Sequence, residues 1–120
     1  MQKENDLRQR TKEFALRIIK LVEALPNTRS GRTIGNQLVR SGTSVGANYR
    51  AACRARSLAE FIAKIGLVIE EADESAFWIE VIIESGLMKK YLVEQLLQET
   101  NEIVAIMVTS SNSAHRRKQK

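Results

Sequence analysis

Five arginines between residues 29 and 54 have the types and spacing in this sequence best suited to binding a ligand. At 100° per residue of an α-helix they share a sector roughly 80° wide, on the side away from the apolar residues: Arg29, Arg32, Arg40, Arg50 and Arg54. The planar guanidinium fork matches the geometry of phosphate. The sector therefore predicts sequence-independent contacts to the phosphate backbone of a nucleic acid. A solubilising helix face is the alternative interpretation.

Two further features bear on this prediction. Aromatic side chains that could stack on single-stranded bases are missing from the sector, so a duplex or backbone contact is the form that binding would take. A second basic group lies near the end of the chain, at Arg116, Arg117 and Lys118. These three residues and the five arginines are the predicted nucleic-acid-binding residues.

Other chemistries lack the residues that they need. The one histidine is His115, no Glu-x-x-His pair occurs, and neither a Ser/His/Asp set nor a phosphate-binding glycine loop is present. Four carboxylates cluster at residues 70–74, where a solvated or intersubunit acidic face is favoured over a metal site. Cys53 is predicted to be a buried, inert thiol. We therefore expect no catalytic residues, no metal, no cofactor and no enzymatic activity.

The apolar spacing predicts the elements that carry these residues. Four amphipathic helices are expected at about residues 6–25, 28–54, 57–85 and 89–110, separated by short turns. Short turns make successive helices antiparallel, so the predicted fold is an all-α, up-down-up-down four-helix bundle over residues 1–110. Residues 111–120, SNSAHRRKQK, are expected to form a disordered basic tail.

The second helix contains four glycines, each of which costs about 1 kcal/mol in a helix interior relative to alanine. A break near residues 40–43 is one interpretation. On an unbroken helix, however, all four glycines fall within about 60° of one another and would form a small-residue stripe beside the apolar face. A continuous or slightly kinked helix is the favoured interpretation.

The third helix predicts self-association. Its main apolar stripe repeats at steps of four and three residues, and a second apolar group lies on the other side: Leu67, Phe77, Trp78 and Val81. One helix of a small bundle buries one stripe inside its own subunit. The second group therefore predicts the interface of a homo-oligomer.

Charge is distributed unevenly along a chain of net charge +5. Residues 1–64 carry 13 basic and 5 acidic side chains, whereas residues 65–115 carry 2 basic and 9 acidic ones. This asymmetry indicates either an anionic partner or contact between the basic and acidic faces of neighbouring subunits. Without a signal-peptide pattern or an apolar run of membrane-spanning length, a cytoplasmic location is expected, with no membrane contact.

Residues 38–52, LVRSGTSVGANYRAA, followed by EFIAK at 60–64 and by Glu71, Glu74 and Trp78, form a specific pattern. It resembles the four helix bundle protein family, the intervening-sequence proteins encoded within bacterial large-subunit ribosomal RNA genes. The likeness covers about residues 7–110. The sequence also resembles the related accessory variability protein of diversity-generating retroelements.

The resemblance implies a barrel-shaped homopentamer without catalytic activity. The resemblance to the retroelement relatives also implies binding to DNA or RNA, and to a reverse transcriptase, through a positively charged surface. Its motif residues correspond to packing and assembly positions: Ser41, Gly42, Ser44, Gly46, Asn48, Glu71, Glu74 and Trp78. The function predicted first is a non-enzymatic oligomeric bundle that binds nucleic acid. The alternative is a protein-interaction scaffold that binds none.

Overall fold

The computed structural model describes residues 2–119, with side chains from residue 4 onward, and shows four antiparallel α-helices. They are α1 (Gln2–Ala24), α2 (Arg29–Cys53), α3 (Leu58–Glu84) and α4 (Lys90–Gln119). Each helix packs on its neighbours in the chain, and α1 also touches α4. The bundle measures 51 × 23 × 20 Å. The predicted up-down-up-down bundle is confirmed.

Local sequence signals explain where the helices begin and end. The Thr28 hydroxyl accepts a hydrogen bond from the amide of Gly31 and so caps α2. Ser57 caps α3 in the same way by accepting from the amide of Glu60, 3.0 Å away. Gly86 follows α3 with a φ of +79°, the left-handed conformation that glycine adopts without strain.

The core is almost entirely aliphatic. Its largest fully buried side chains come from all four helices and include Phe14, Ile18, Leu38, Ile79 and Met107. The residues whose spacing predicts the inward faces of α1 and α2 are buried or half-buried, and they pack in one cluster: Leu7, Phe14, Ile18, Leu21, Leu25, Ile34, Leu38, Val45, Tyr49 and Ala52. Among the residues that the structure describes, no helix is long and apolar enough to cross a membrane.

The buried face of α3 is rotated from its predicted position. The apolar spacing of four and three residues predicts this buried stripe: Leu58, Ile62, Ile65, Ile69, Ala72, Ala76, Ile79 and Ile83. Val68, Ser75 and Ile82 are fully buried although they lie outside the stripe, whereas its members Ile62, Ile69 and Ile83 are only half-buried. Counting 100° per residue, the face is turned by roughly 50° towards Val68 and Ile82. Because α3 is apolar around much of its circumference, its pattern does not fix one orientation.

The glycines of α2 lie within a continuous helix, as favoured, and they face α1. A Cβ added to Gly42 would lie 2.8 Å from two side-chain carbons of Ile18, and one added to Gly46 would lie 3.3 Å from the carbonyl oxygen of Thr11. The absence of side chains at these positions allows α1 to approach α2 closely. The small-residue stripe is therefore a helix-packing surface.

The predicted disordered tail is wrong for residues 111–119, which continue α4. The helix runs past Ser110 to Gln119, and Ala114 is only 1% exposed. The cations Arg116, Arg117 and Lys118 occupy the last turn, where they interact favourably with the negative end of the helix dipole. Met1 and Lys120 lie outside the described residues.

Candidate nucleic-acid interface

The structure divides the five α2 arginines into two groups. Arg29 and Arg54 are 25 positions apart, a span of about 37 Å at 1.5 Å per residue. Arg29 and Arg32 lie at the bundle end that carries the α1–α2 and α3–α4 turns, which we call the two-turn end. Arg50 and Arg54 lie at the opposite end. A single compact contact therefore cannot use the whole predicted sector.

Arg40, midway between the two groups, is held by carboxylates of α3. Its guanidinium donates hydrogen bonds to Glu71, at 3.2 Å, and to Glu74. The hydrogen bond from Arg40, together with one from the indole of Trp78 at 3.1 Å, lowers the pKa of Glu74. The prediction that Arg40 is available to phosphate is corrected, because its charge is balanced inside the subunit.

Arg32 also has a local partner, although an uncharged one. Its guanidinium donates to the side-chain oxygen of Asn27 at 3.0 Å and to the backbone oxygen of the same residue at 3.3 Å. These bonds tie it to the α1–α2 turn and leave its charge unbalanced. Arg29, Arg50 and Arg54 are exposed.

The antiparallel order gathers cations from three helices and a turn at the end away from the two-turn end. The start of α1, the end of α2, the α2–α3 turn and the end of α4 all meet there. We call this the basic end and define it by its basic side chains: Arg8, Arg50, Arg54, Arg56, Arg116, Arg117 and Lys118. Its acidic side chains are Glu4, Asp6 and Glu60. Arg8 and Arg56 were missed in the sequence, although the predicted topology already placed them there.

A groove between α1 and α2 opens beside the basic end. Its lining includes the cations Arg8, Lys12 and Arg50 and the small residues Ala15, Gly46 and Ala47. Its volume is about 270 Å³, Thr43 contributes a hydroxyl, and no carboxylate is among its lining residues. Three cations that line one groove, with no carboxylate among its lining residues, form a surface that attracts phosphate.

The predicted oligomer-interface residues differ in exposure. Leu67 is 41% exposed and Phe77 is 53% exposed. Trp78 and Val81 are half-buried, and Trp78 packs on the core of its own subunit. The rings of Phe77 and Trp78 meet edge to face at 4.9 Å. The Trp78 ring therefore packs against the Phe77 ring on the side nearer the core. Leu67 and Phe77 are the two exposed apolar side chains of the predicted interface.

Several of the motif residues on which the family resemblance rests lie at contacts between helices. The hydroxyls of Ser41 and Ser75 are 2.9 Å apart in the α2–α3 interface, and both residues are fully buried. Gly42 and Gly46 face α1, and Glu71 and Glu74 hold Arg40. These residues position the helices of one subunit.

The remaining reactive groups form no site of their own. Cys53 is half-buried rather than buried, and its desolvation raises the pKa of the thiol, which makes it less reactive. Burial also raises the pKa of the neighbouring Tyr49 hydroxyl. Within residues 4–119, no three histidine, cysteine or carboxylate side chains converge so that they could hold a metal ion.

Comparison with known proteins shows a family and a similar solved structure. The family model of the 23S rRNA-intervening sequence protein matches residues 3–109. A crystal structure of a protein of unknown function from the S23 ribosomal protein family of Bacteroides thetaiotaomicron VPI-5482 superposes with a TM-score of 0.85. It is 33% identical, and the match covers 92% of this chain and 98% of that one.

Neither match indicates an enzymatic family. A comparison with curated proteins finds no match. The family match extends over nearly all of the four helices, from the start of α1 to the middle of α4. The chain belongs to the family of 23S rRNA-intervening sequence proteins.

Proposed function

We propose that this protein is a non-enzymatic homo-oligomer that binds the phosphate backbone of a nucleic acid at its basic end. The observation that carries the proposal is the groove lined by Arg8, Lys12 and Arg50, with no carboxylate among its lining residues. The exposed Arg54 and the cations of the last α4 turn extend it. Because the family name refers to intervening sequences of 23S rRNA, duplex RNA is the first ligand to test.

Oligomerisation, as a pentamer by family resemblance, is supported by the exposed Leu67 and Phe77. Light scattering at micromolar concentration should give a multiple of 13.5 kDa, the mass of one chain. A mass equal to that of one chain would refute self-association. Trp78→Ala should loosen the assembly, because it removes the support beneath Phe77.

The binding test compares short duplexes of RNA and DNA at salt concentrations between about 50 and 200 mM. Affinity should fall steeply as salt rises, because binding releases the counterions of the neutralised phosphates. Arg50→Gln with Arg54→Gln should weaken binding to every sequence and reduce the log–log salt slope by about 2. Helix content and oligomer mass should not change.

The matched control is Lys89→Gln with Lys90→Gln, which removes the same charge from exposed residues at the two-turn end. It should leave the slope unchanged. Equal losses in both variants would mean that net charge alone attracts the ligand. A separate variant with glutamine at residues 116, 117 and 118 measures the contribution of the α4 end.

The alternative is an interaction scaffold without nucleic-acid binding. The pairing of Arg40 with Glu71 and Glu74 favours it, because it shows that arginines of this chain can serve internal contacts. Absence of binding to both duplexes at about 50 mM salt would establish this alternative. The reverse transcriptase partner implied by the retroelement relatives would then be the first protein to test.

A further inference from the structure

The groove between α1 and α2 has different chemistry at its two ends. Gly46 lies against the backbone of Thr11, which fixes the relative height of the two antiparallel helices. Arg50 is about one turn nearer to the basic end than this point, and Thr43 is about one turn further from it. Lys12 follows Thr11 in the chain and lies between them in height. The groove therefore has positive charge towards the basic end and a hydroxyl at its other end.

The Thr43 hydroxyl donates its proton within its own helix. Its Oγ1 lies 2.6 Å from the carbonyl oxygen of Val39 and 3.3 Å from that of Arg40. A hydroxyl has one proton and two lone pairs, so in this arrangement Thr43 can only accept a further hydrogen bond. A backbone phosphate carries no proton at neutral pH and cannot donate one. Thr43 therefore does not match the phosphate, and it matches a ligand group that donates.

The cations of the groove have the opposite capacity. Guanidinium and ammonium groups donate hydrogen bonds and accept none. Arg8, Lys12 and Arg50 form no ion pair within the part of the chain that the structure describes. The small residues of the groove have no polar side-chain atom. Among the described residues that line the groove, Thr43 is thus the one whose side chain can accept a hydrogen bond.

We propose that the groove distinguishes RNA from DNA, and that Thr43 does so by accepting a hydrogen bond from a ribose 2′-hydroxyl. The cations hold a backbone phosphate, and the sugar next to this phosphate is its covalent neighbour. The small residues of the groove leave space for that sugar. In an A-form duplex the 2′-hydroxyls lie in the wide, shallow minor groove, where a protein can contact them. Deoxyribose has no hydroxyl at this position and leaves the Thr43 oxygen without a partner.

This selectivity rests on the proposed function and specifies its ligand as the RNA backbone. Attraction by the cations is common to RNA and DNA, and it determines the salt dependence of binding. A hydrogen bond between two uncharged hydroxyls releases no counterions. The choice of sugar and the salt slope can therefore be measured separately.

The test compares duplexes of one sequence by fluorescence anisotropy at about 50 mM salt. The duplexes are RNA, RNA with fluorine in place of every 2′-hydroxyl, and DNA. The fluorinated duplex keeps the A-form, so it differs from RNA in the missing donor and not in shape. The wild-type protein should bind RNA about three- to tenfold more tightly than the fluorinated duplex, which is the effect of one hydrogen bond.

Thr43→Val keeps the shape of the side chain and removes its acceptor. It should lower the affinity for RNA to that for the fluorinated duplex, without changing the affinity for the fluorinated duplex or the log–log salt slope. Thr43→Ser retains a hydroxyl and should retain the preference. Thr109→Val is the matched control, because Thr109 is exposed on α4 and also donates to a backbone carbonyl, that of Ala105 at 3.1 Å. It should bind as the wild type does.

The outcomes separate this selectivity from the proposed function. A wild-type protein that binds none of the duplexes would overturn both. Equal wild-type affinity for RNA and for the fluorinated duplex would overturn only the selection of the sugar. A preference for RNA that survives Thr43→Val would overturn the role of Thr43, because the sugar would then be recognised elsewhere. Circular dichroism checks that each variant keeps its helices.

Discussion

At Gly42 the packing of α1 on α2 leaves no room for a methyl group. The fully buried Ile18 occupies the space into which a Cβ would project, at 2.8 Å from two of its carbons. Gly66, in the interior of α3, has no such neighbour within 4 Å. The chain thus contains two helical glycines with opposite surroundings.

We expect Gly42→Ala to destabilise the protein and Gly66→Ala to stabilise it. Both substitutions gain up to about 1 kcal/mol of helix propensity. At Gly42 the added methyl must displace Ile18, and overpacking of this kind costs about 1–3 kcal/mol. Urea unfolding at one fixed chain concentration measures the difference. Equal stabilisation by both substitutions would contradict the close α1–α2 approach.

The position of the glycine stripe could be predicted from the sequence, because residue spacing fixes the angle of each position on a helix. The helix that it contacts could not be predicted, since both neighbours of α2 present aliphatic faces. The ion pairs of Arg40 could not be predicted either. The spacing correctly places Arg40 on the outer side of α2. A long arginine side chain can nevertheless reach a carboxylate on the adjacent helix, and Arg40 reaches those of Glu71 and Glu74.

At the scale of elements, α2 and α3 are joined by a polar clamp at mid-height. Arg40 binds Glu71 and Glu74 at the surface, and beneath it the hydroxyls of Ser41 and Ser75 meet. The indole of Trp78 donates a second hydrogen bond to Glu74. Because these bonds favour the charged carboxylate, the clamp links stability to pH.

We expect the contribution of Glu74 to stability to be lost in acid. The pKa of Glu74 is lower in the folded chain than its ordinary value of 4.5. Its contribution is therefore complete above pH 4.5 and disappears as the pH falls through the lowered folded value. Because solvent screens this exposed ion pair, its contribution to stability is small.

Urea unfolding of Glu74→Gln across this pH range should show a shallower acid loss of stability than the wild type. Glu70→Gln is the control, because Glu70 is exposed and forms no ion pair in the described chain. An identical pH profile for wild type and Glu74→Gln would contradict the clamp.

The type and order of the helices could be predicted from the sequence. The end of α4 and the orientation of α3 about its own axis could not. The polar residues at 111–119 gave no apolar periodicity, so burial of the single small Ala114 was not visible in the pattern. For α3, apolar residues on several sides allowed more than one inward orientation. In both cases contacts with the other helices, and not the local sequence, determine the observed structure.

At the scale of the whole molecule, the excess of positive charge is larger at the basic end than at the two-turn end. Cations collect at the basic end, and the unpaired carboxylates of α3 lie nearer the two-turn end. A rotation axis parallel to the helices would place every basic end on the same face of a ring. Several cationic grooves would then be presented together to one duplex.

We expect nucleic-acid affinity to depend on assembly. Leu67→Gln with Phe77→Gln removes the exposed apolar side chains of α3 without changing any charge, and it is expected to separate the subunits of the proposed oligomer. The separated chains should bind a duplex about tenfold or more weakly at equal chain concentration, because linked sites act together. Fluorescence anisotropy at low salt measures this. Unchanged affinity in a dissociated variant would show that one subunit provides the whole binding site.

The arrangement of helix contacts has a consequence for the route by which the chain folds. Each helix packs mainly on the one before it, and the link between the distant ends is the thin α1–α4 seam, where Arg10 reaches Glu99 across 89 residues. Chains dominated by such local contacts fold in about microseconds to milliseconds. During synthesis each new helix can dock as it emerges, and closure of the seam is the step that must wait for α4.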